Sequence, residues 1–257
     1  MFQIKRLVIL VPCHNEEQGI GIVLGSIPKD SLHKLGYETG VIVIDNNCID
    51  KTAEIALSKG AKVVKEPKQG KGHAIIRGFR EINGNADIVV MIDGDGSYDI
   101  KELPRLLEPL ESDFGDVIVG SRLHGKLKAN SMTSLNRLGN WFFTFLARVG
   151  FKTNVTDVCS GFFAWKKNVI ENLALHLESS SFSIEMEMIA KLAKMNYSCY
   201  SVPISYYPRN GKSSLRPIKD GLFILCSWLK YLTWSPDRIS ITRKELLYEA
   251  ESTKGDL

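Results

Sequence analysis

An apolar run that ends in two acids lies in the stretch Ala86-Asp-Ile-Val-Val-Met-Ile-Asp-Gly-Asp-Gly-Ser-Tyr-Asp99. Residues 88–92 are continuously apolar and rich in β-branched side chains, which is typical of a strand in a parallel sheet covered on both faces. Ligands of open α/β sheets collect beyond the carboxyl ends of such strands. Asp93 and Asp95 would repel each other there unless a cation lay between them and its ligand. The stretch therefore predicts a parallel α/β sheet with a cation-assisted site at its edge, most simply for a diphosphate.

Two other interpretations of this stretch stay open at this point. Acid–glycine pairs are common in turns that carry no chemistry. The spacing of the acids also follows the start of an EF-hand calcium loop, which requires glycine at its sixth position and glutamate at its twelfth. Tyr98 and Pro104 occupy those positions, so the calcium loop is the weakest of the three interpretations.

The composition is that of an ordinary globular protein with a full core. The 257 residues are 44% hydrophobic and 24% charged, which fits one large α/β domain or a domain with an appendage. A net charge of +4 suits an anionic substrate or a membrane surface. No basic stripe interleaved with aromatic residues points to nucleic acid. No run of 18 apolar residues occurs, so we expect no transmembrane helix.

The cysteines indicate the compartment. There are five, an odd number, and none forms a C-x-x-C pair. This usage favours free thiols in a reducing compartment over a disulfide framework or a zinc site. We therefore expect a cytoplasmic protein.

Strands and helices are predicted to alternate through the first half of the chain. Strands are expected at 7–11, 41–44, 62–65, 88–92 and 116–119. Helices are expected at 16–27, 72–80 and 102–110, together with a helix that Asp50 caps and that runs through Ser58. This order predicts a doubly wound, mostly parallel central sheet.

The second half is less regular and closes with an apolar segment. Helices are expected at 134–149 and 182–194, and strands after the loop 156–163 and at 199–204. A basic loop at 208–214 precedes an amphipathic helix at 218–234 and a polar tail through 257. The apolar stripe of that helix, near Trp228 and Lys230, is typical of a core or a dimer seam, and also of a helix lying in lipid headgroups.

Three polar loops leave the ends of predicted parallel strands. They are Pro12-Cys-His-Asn-Glu16, Asp45-Asn-Asn47 and Asp93-Gly-Asp95. Because the carboxyl ends of parallel strands meet at the same edge of a sheet, the loops should converge on one crevice. Acids and amides gathered there favour a nucleotide-binding edge.

With these residues in view, the chain resembles the inverting glycosyltransferases of family 2, with the GT-A fold, and in particular the polyprenyl-phosphate sugar synthases. The resemblance runs from about residue 7 to about residue 221. Its motifs, in order along the chain, are Val11-Pro-Cys-His-Asn-Glu-Glu17, Asp45, Gly70-Lys-Gly72, Asp93-Gly-Asp95, Gly120-Ser-Arg122, Asn136-Arg137, Ser160-Gly-Phe162, Glu187 and Val202-Pro-Ile204 with Arg209, Gly211 and Ser213. Each motif is loose alone, but their order is specific.

The resemblance implies a role for each of these positions. Donor binding falls to Pro12, Asn15, Glu16, Asp45, Lys71, Asp93 and Asp95. A Mg²⁺ or Mn²⁺ ion would be held by Asp95 and Asp93, with Ser97 on a metal-bound water. Phosphate and acceptor binding falls to Arg122, Arg137, Arg209, Lys212 and Ser213. The catalytic set is Asp95, Arg122, Asp157 and Glu187, of which the last two would orient the sugar or the phosphate-binding arginines.

The resemblance also implies an activity and its partners. Residues 1–217 would form the catalytic domain, and 218–257 an interfacial helix and tail on the cytoplasmic face of a membrane. The reaction would be inverting transfer of one sugar from UDP-glucose, UDP-N-acetylglucosamine or GDP-mannose to a polyprenyl (dolichyl) phosphate, feeding glycan assembly. A second copy of the chain or a membrane protein is expected as a further partner. Nucleic acid is not expected to bind.

Three alternatives are left open. Transfer to a soluble or saccharide acceptor would need a general base, for which Asp157 or Glu187 would be the candidate. A sugar-nucleotide pyrophosphorylase would need a glycine-rich loop after the first strand, where this chain has Pro12-Cys-His-Asn-Glu16. A nucleotide-binding module without activity is disfavoured by the number of acids and arginines that persist together.

The chain departs from the family pattern at two places. The second strand of the family usually ends in paired aspartates, whereas Asp45-Asn46-Asn47-Cys48 keeps only the first acid. This pattern is closer to archaeal-type relatives that use UDP-sugars. The last motif usually has a lysine after its serine, whereas here Lys212 precedes Ser213 and could supply the same charge.

Overall fold

The computed structural model describes residues 4–82 and 86–236, so the expected polar tail lies outside them from residue 237 onward. Seven strands in the described ranges form one sheet. They are β1 (Lys5–Cys13), β2 (Tyr37–Asp45), β3 (Lys62–Lys65), β4 (Ile88–Met91), β5 (Val117–Leu127), β6 (Phe163–Lys166) and β7 (Cys199–Tyr206). Their order across the sheet is β3-β2-β1-β4-β6-β5-β7.

The sheet is parallel except for β6. The pairs β1–β2, β2–β3, β1–β4 and β5–β7 are parallel. β6 runs antiparallel to both of its neighbours, β4 and β5. Because β6 is antiparallel to each of them, β4 and β5 point the same way and end at the same edge of the sheet.

Helices pack on both faces of this sheet. In the described ranges they are α1 (Ile20–Gly25), α2 (Lys29–Lys34), α3 (Thr52–Ser58), α4 (Lys71–Ile82), α5 (Pro104–Glu111), α6 (Ser134–Phe151), α7 (Lys167–Ala174), α8 (Ile184–Lys194) and α9 (Pro217–Leu232). α1, α2, α3 and α5 cover one face, and α4 with α6 to α9 cover the other. None of these described helices is long and apolar enough to cross a membrane.

The inner strands send alternate side chains into two separate cores. Leu7, Ile9 and Val11 of β1 enter the core beneath α1, whereas Leu10 of β1 and Met91 of β4 enter the core beneath α4. All five side chains are fully buried. Coverage on both faces explains why the sequence of these strands is continuously apolar rather than alternating.

The predicted helix at 16–27 begins later in the structure, at Ile20. The backbone N–H groups of Glu16 and Glu17 donate to Thr52 Oγ1 over 2.8 Å and to Asp50 Oδ2 over 3.1 Å. These acids therefore belong to the loop after β1 and not to α1. The sequence predicts neither α2 nor α7, because six and eight residues are too few for a helical period to stand out.

A bulge in β5 shapes the edge where the polar loops lie. Ser121 pairs with Pro203 of β7, and the next pair is Lys126 with Ser205, so β5 takes five steps where β7 takes two (126 − 121 against 205 − 203). Bulges of this kind bend a strand and redirect its side chains. Arg122 is the first residue of the extra segment.

We expect Gly125→Ala to destabilise the protein by about 1–3 kcal/mol, the usual cost of forcing an atom into a packed site. Its Cβ would lie 1.8 Å from the backbone oxygen of Ile204, where the bulge returns to β7. Gly40→Ala is the matched control, because this strand glycine would place its Cβ 4.0 Å from Val8 Cγ2. Thermal unfolding followed by circular dichroism measures both, and equal melting temperatures would contradict the expectation.

Candidate functional site

The loops after β1, β2 and β4 meet at one edge of the sheet and line a cavity of about 1090 Å³. Cys13 and Asp45 are register partners at the ends of β1 and β2. The backbone N–H of Asn46 donates to Cys13 O over 2.9 Å. Asp93 and Asp95, just beyond β4, line the same cavity. The structure thus brings together the three loops whose convergence the strand order predicts.

Close packing fixes the two acids of this edge. A Cβ on Gly94 would lie 2.5 Å from Cys13 Sγ, so the residue between the acids has to be glycine. The N–H and hydroxyl groups of Ser97 donate to Asp95 Oδ1 over 2.9 and 2.5 Å. The Ser97 hydroxyl, predicted to hold a metal-bound water, is therefore bonded to Asp95 and orients its carboxylate.

Lys71 bridges two carboxylates at the first helical position of α4. Its Nζ lies 2.8 Å from Asp93 Oδ1 and 2.7 Å from Glu185 Oε1. Burial alone would lower the pKa of Lys71, but the two carboxylates outweigh it and raise that pKa well above its ordinary value. Lys71 therefore stays charged and holds Asp93 in place.

The turn that carries Lys71 lies directly against the loop 175–183. Gly70 adopts a φ of 137°, and the N–H of Gly72 donates to Ser180 O over 3.2 Å. A Cβ on Gly72 would lie 1.9 Å from Ser179 O. Glycine on both sides of the lysine is thus required by close backbone approach, which gives the Gly70-Lys-Gly72 motif its physical reason.

Arg122 forms a buried bidentate pair with Asp157. Its Nε and Nη2 donate to Asp157 Oδ2 and Oδ1 over 2.7 and 2.8 Å, and its backbone N–H donates to Oδ2 over 2.9 Å. The guanidinium lies over the ring of Tyr206, 5.2 Å from its centroid. Arg122 lines the cavity and Asp157 stands behind it, fully buried. Asp157 thus orients an arginine, one of the two roles predicted for it.

Arg209 comes from the loop after β7 and reaches across to the first loop. Its Nη2 donates to Glu16 Oε1 over 2.8 Å, and its Nη1 lies 3.6 Å from Asp95 Oδ2. Burial raises the pKa of Glu16 to about 7, although Arg209 acts in the opposite direction. The N–H of Asn210 donates to Asp95 O over 2.9 Å, which ties this basic loop to the end of β4.

Besides Ser97 and Asp157, which bond to Asp95 and Arg122, five of the predicted site residues do not line this cavity. Two of them support the loops from behind. Oδ1 of Asp45 accepts from the N–H of Cys48, and Oδ1 of Asn15 accepts from the N–H of Ile49, each over 2.8 Å. The other three are Arg137, Glu187 and Lys212.

These three residues are placed differently from the prediction. Arg137 lines a separate depression beside α6, and Lys212 is exposed. Glu187 is fully buried, and its carboxylate accepts from the backbone N–H groups of Glu178 and Ser179 over 2.9 and 2.8 Å. Glu187 therefore holds the loop 175–183 and does not contact the phosphate-binding arginines.

Two residues of the cavity, Glu185 and Asn46, were given no individual role from the sequence. Glu185 and Glu187 both lie in the first turn of α8, and residues two apart point to different sides of a helix. Only packing decides that Glu185 is the one that faces Lys71. Asn46 donates to Glu66 O and Lys68 O over 3.2 and 2.7 Å.

The acids of this cavity fit a hard divalent cation. Asp93 and Asp95 offer carboxylate oxygens, the ligands that Mg²⁺ and Mn²⁺ prefer. Within residues 4–82 and 86–236, no group of three or more His, Cys, Asp or Glu side chains could form a complete protein cage. This donor set suits an ion that completes its shell with phosphate and water oxygens.

Comparison with known proteins adds the family. The model described as glycosyl transferase family 2 matches residues 8–174. The chain is similar to glycosyltransferase AglJ of Haloferax volcanii, with 34% identity over 219 residues that cover 83% of this chain and 67% of AglJ. It is also similar to a dolichyl-phosphate hexose transferase of that organism, with 30% identity over 218 residues that cover 85% of this chain and 90% of the relative.

A solved structure shares the fold. Glucosyl-3-phosphoglycerate synthase from Mycobacterium tuberculosis, in complex with Mn²⁺, UDP-glucose and phosphoglyceric acid, matches with a TM-score of 0.67 and 20% identity. The match covers 89% of this chain and 80% of that one. The predicted fold class, an α/β fold with a mostly parallel central sheet, is confirmed.

We expect Lys71→Met to lower stability by about 3–5 kcal/mol, because the loss of the bridging cation leaves buried carboxylates uncompensated. The loss should shrink on acidification, since burial already raises the pKa of Glu185 and its protonation removes one charge. Lys62→Met is the control, because Lys62 pairs with Glu81 at the surface with 60% of its side chain exposed. Urea unfolding at pH 5 and pH 8 measures both variants. Equal losses in the two would contradict the prediction.

Proposed function

The chain belongs to glycosyl transferase family 2, and we propose that it transfers one sugar, with inversion, from a nucleotide-diphosphate sugar to a polyprenyl phosphate. The donor would be UDP-glucose, UDP-N-acetylglucosamine or GDP-mannose. The similarity to a dolichyl-phosphate hexose transferase, 90% of which the match covers, supports this acceptor class.

One observation carries the proposal: in a single cavity that Glu16 and Glu185 also line, Asp93 and Asp95 lie among three cations that ion pairs hold in place. Asp93 and Asp95 line it together with Lys71, Arg122 and Arg209. When the bond between the sugar and the diphosphate breaks, negative charge grows on the departing diphosphate. Cations held in place before the reaction stabilise that charge without reorganisation.

A divalent ion completes this arrangement. Asp93 and Asp95 would hold Mg²⁺ or Mn²⁺, which when bound supplies a Lewis acid to the leaving diphosphate. Ser97 fixes the direction of the Asp95 carboxylate. Nζ of Lys71 lies 2.8 Å from Asp93 Oδ1 and fixes the position of that carboxylate.

The donor nucleotide is assigned to the loops after β1 and β2. Pro12, His14 and Asn46 line that part of the cavity. Asn15 and Asp45 hold these loops in shape through their bonds to backbone N–H groups. Glu16, paired with Arg209, closes the side nearest Asp95.

A phosphate acceptor agrees with the way the acids are used. A phosphate is ionised at neutral pH and needs no base to become a nucleophile. Both oxygens of Asp157 accept from Arg122, and both oxygens of Glu187 accept from backbone N–H groups. The two candidate bases for a saccharide acceptor are thus engaged elsewhere, whereas Arg122 and Arg209 suit a phosphate.

We also propose that α6 and α9 rest on the cytoplasmic surface of a membrane. Leu138 and Trp141 of α6 are 63% and 58% exposed, and Leu222 and Phe223 of α9 are 59% and 45% exposed. Arg137, exposed on α6, adds charge that suits anionic headgroups. Exposed apolar residues beside basic ones are typical of a helix lying in the interface.

The activity is tested by incubating the full chain with Mn²⁺, a polyprenyl phosphate and each of the three donors. We expect one donor to yield a polyprenyl-phosphate sugar, identified by mass spectrometry, and chelation of the metal to abolish it. A water-soluble phosphate ester is included as a second acceptor. Product formed only on the soluble acceptor would overturn the lipid assignment.

Asp95→Asn should reduce the rate of transfer by at least about a thousandfold, because it removes a charge on which the metal and the leaving group depend. Asp99→Asn is the matched control, since Asp99 lies four residues further on and caps a short 3₁₀ helix by accepting from the N–H of Lys101. Initial rates with the productive donor measure both variants. A metal-dependent rate retained in Asp95→Asn would contradict the assignment.

Phe223→Ser should weaken binding to anionic vesicles by at least about tenfold, because burial of an aromatic side chain contributes roughly 1.5–3 kcal/mol. Phe114→Ser is the control, because this ring is 61% exposed, against 45% for Phe223, and packs on Tyr200 outside α6 and α9. Flotation with phosphatidylserine vesicles compares the two. A wild-type chain that remains at the bottom of the gradient would exclude membrane contact.

A further inference from the structure

We propose that Tyr231 of α9 is a positioning residue for the donor site, 53 residues along the chain from the loop segment it holds. The inference rests on the proposed function, because it concerns binding of the nucleotide diphosphate. Tyr231 belongs to a buried polar cluster that has no role in the proposed transfer reaction.

The cluster joins α8, α9 and the loop 175–183. Lys191 of α8 is fully buried, and its Nζ contacts Glu187 Oε1, His176 O and Glu178 Oε1. The same Nζ lies 4.7 Å from the centroid of the Tyr231 ring. A buried ammonium is tolerable only where several acceptors and an aromatic face replace its hydration.

α9 takes hold of this loop through two side chains. The hydroxyl of Tyr231 donates to Glu178 Oε1 over 3.1 Å, and Nζ of Lys230 lies 2.9 Å from the same oxygen. Tyr231 is 1% exposed, whereas 48% of the Glu178 side chain is exposed. The Glu178 carboxylate therefore contacts both α8 and α9, through Lys191 and through Tyr231 and Lys230. The Glu178 N–H donates to Glu187.

The residues after Glu178 bear directly on the turn that carries Lys71. Ser180 O accepts from the N–H of Gly72, and Ser179 O lies so close to Gly72 that no Cβ would fit between them. Lys71 stands between the two glycines of that turn, and its Nζ reaches Asp93. A shift of this loop by a few tenths of an ångström would therefore move the cation that holds the acid at the cavity edge.

The contacts run in an unbroken series from α9 to the donor site. Tyr231 contacts Glu178, whose chain continues into Ser179 and Ser180, and these abut the turn around Lys71. Since α9 also lines the cavity near its own N-terminus, with Gly221 and Ile224, one helix touches the site directly and supports it from behind.

The test compares Tyr231→Phe with Tyr197→Phe, each of which removes one hydroxyl. The Tyr197 hydroxyl bonds Asn172 at the surface, away from the loop segment 178–180. We expect Tyr231→Phe to weaken binding of UDP or GDP in the presence of Mn²⁺ by about three- to tenfold, measured by calorimetry. Tyr197→Phe should bind like the wild type, even if both variants melt at similarly lowered temperatures.

A double-mutant cycle shows whether the effect passes through Lys71. In a Lys71→Met background, Tyr231→Phe should cause no further loss of nucleotide affinity. Unchanged affinity of Tyr231→Phe, or an equal loss in both backgrounds, would overturn the inference. Should Lys71→Met not fold, Lys230→Met, which removes the other hold of α9 on Glu178, should also weaken nucleotide binding, and wild-type affinity in it would overturn the inference. A wild-type chain that binds neither nucleotide would instead refute the proposed function.

Discussion

The charge of Asp93 and Asp95 is the constraint on which this end of the molecule depends. Two carboxylates one residue apart, partly withdrawn from water, are unfavourable unless cations compensate them. Lys71 supplies the first compensation by direct contact with Asp93, and Arg209 lies 3.6 Å from Asp95. Glu185 joins from α8 and shares Lys71, so the charges form a network and not isolated pairs.

The strand order of the second half places Arg122 and Arg209 at the edge of the sheet where the two acids lie. β6 is antiparallel to both β4 and β5, so β5 runs in the same direction as β4 and its bulge falls beside the acids. Arg122 stands at that bulge, and Asp157, which precedes β6, fixes its guanidinium from behind. The parallel strand β7 then leads into the loop of Arg209. One reversed strand thus brings two distant arginines to a site begun by the first half.

The sequence predicted those parts of the fold in which a continuous apolar run marks a strand that is buried on both faces. The run at 88–92 indicated an inner strand because both faces are covered, and its acids had to emerge at the edge where the other loops end. The predicted start of the helix at 16–27 was wrong because the backbone N–H groups of Glu16 and Glu17 donate to Thr52 and Asp50 at the start of α3. Glu185 was overlooked in favour of Glu187 because which of two nearby helical acids turns inward depends on tertiary packing.

Asn46 shows how a departure from the family pattern can fix a loop at the edge of the cavity. Its amide nitrogen donates to two backbone carbonyls, Glu66 O and Lys68 O, and its oxygen accepts from the N–H of Gly70. An aspartate here could accept from Gly70 but could not donate to either carbonyl, and its charge would repel both. The asparagine therefore fixes the loop that leads into Gly70 and Lys71, and through Lys71 it bears on Asp93. The identity of this residue is thus tied to the shape of the loop that leads into Lys71.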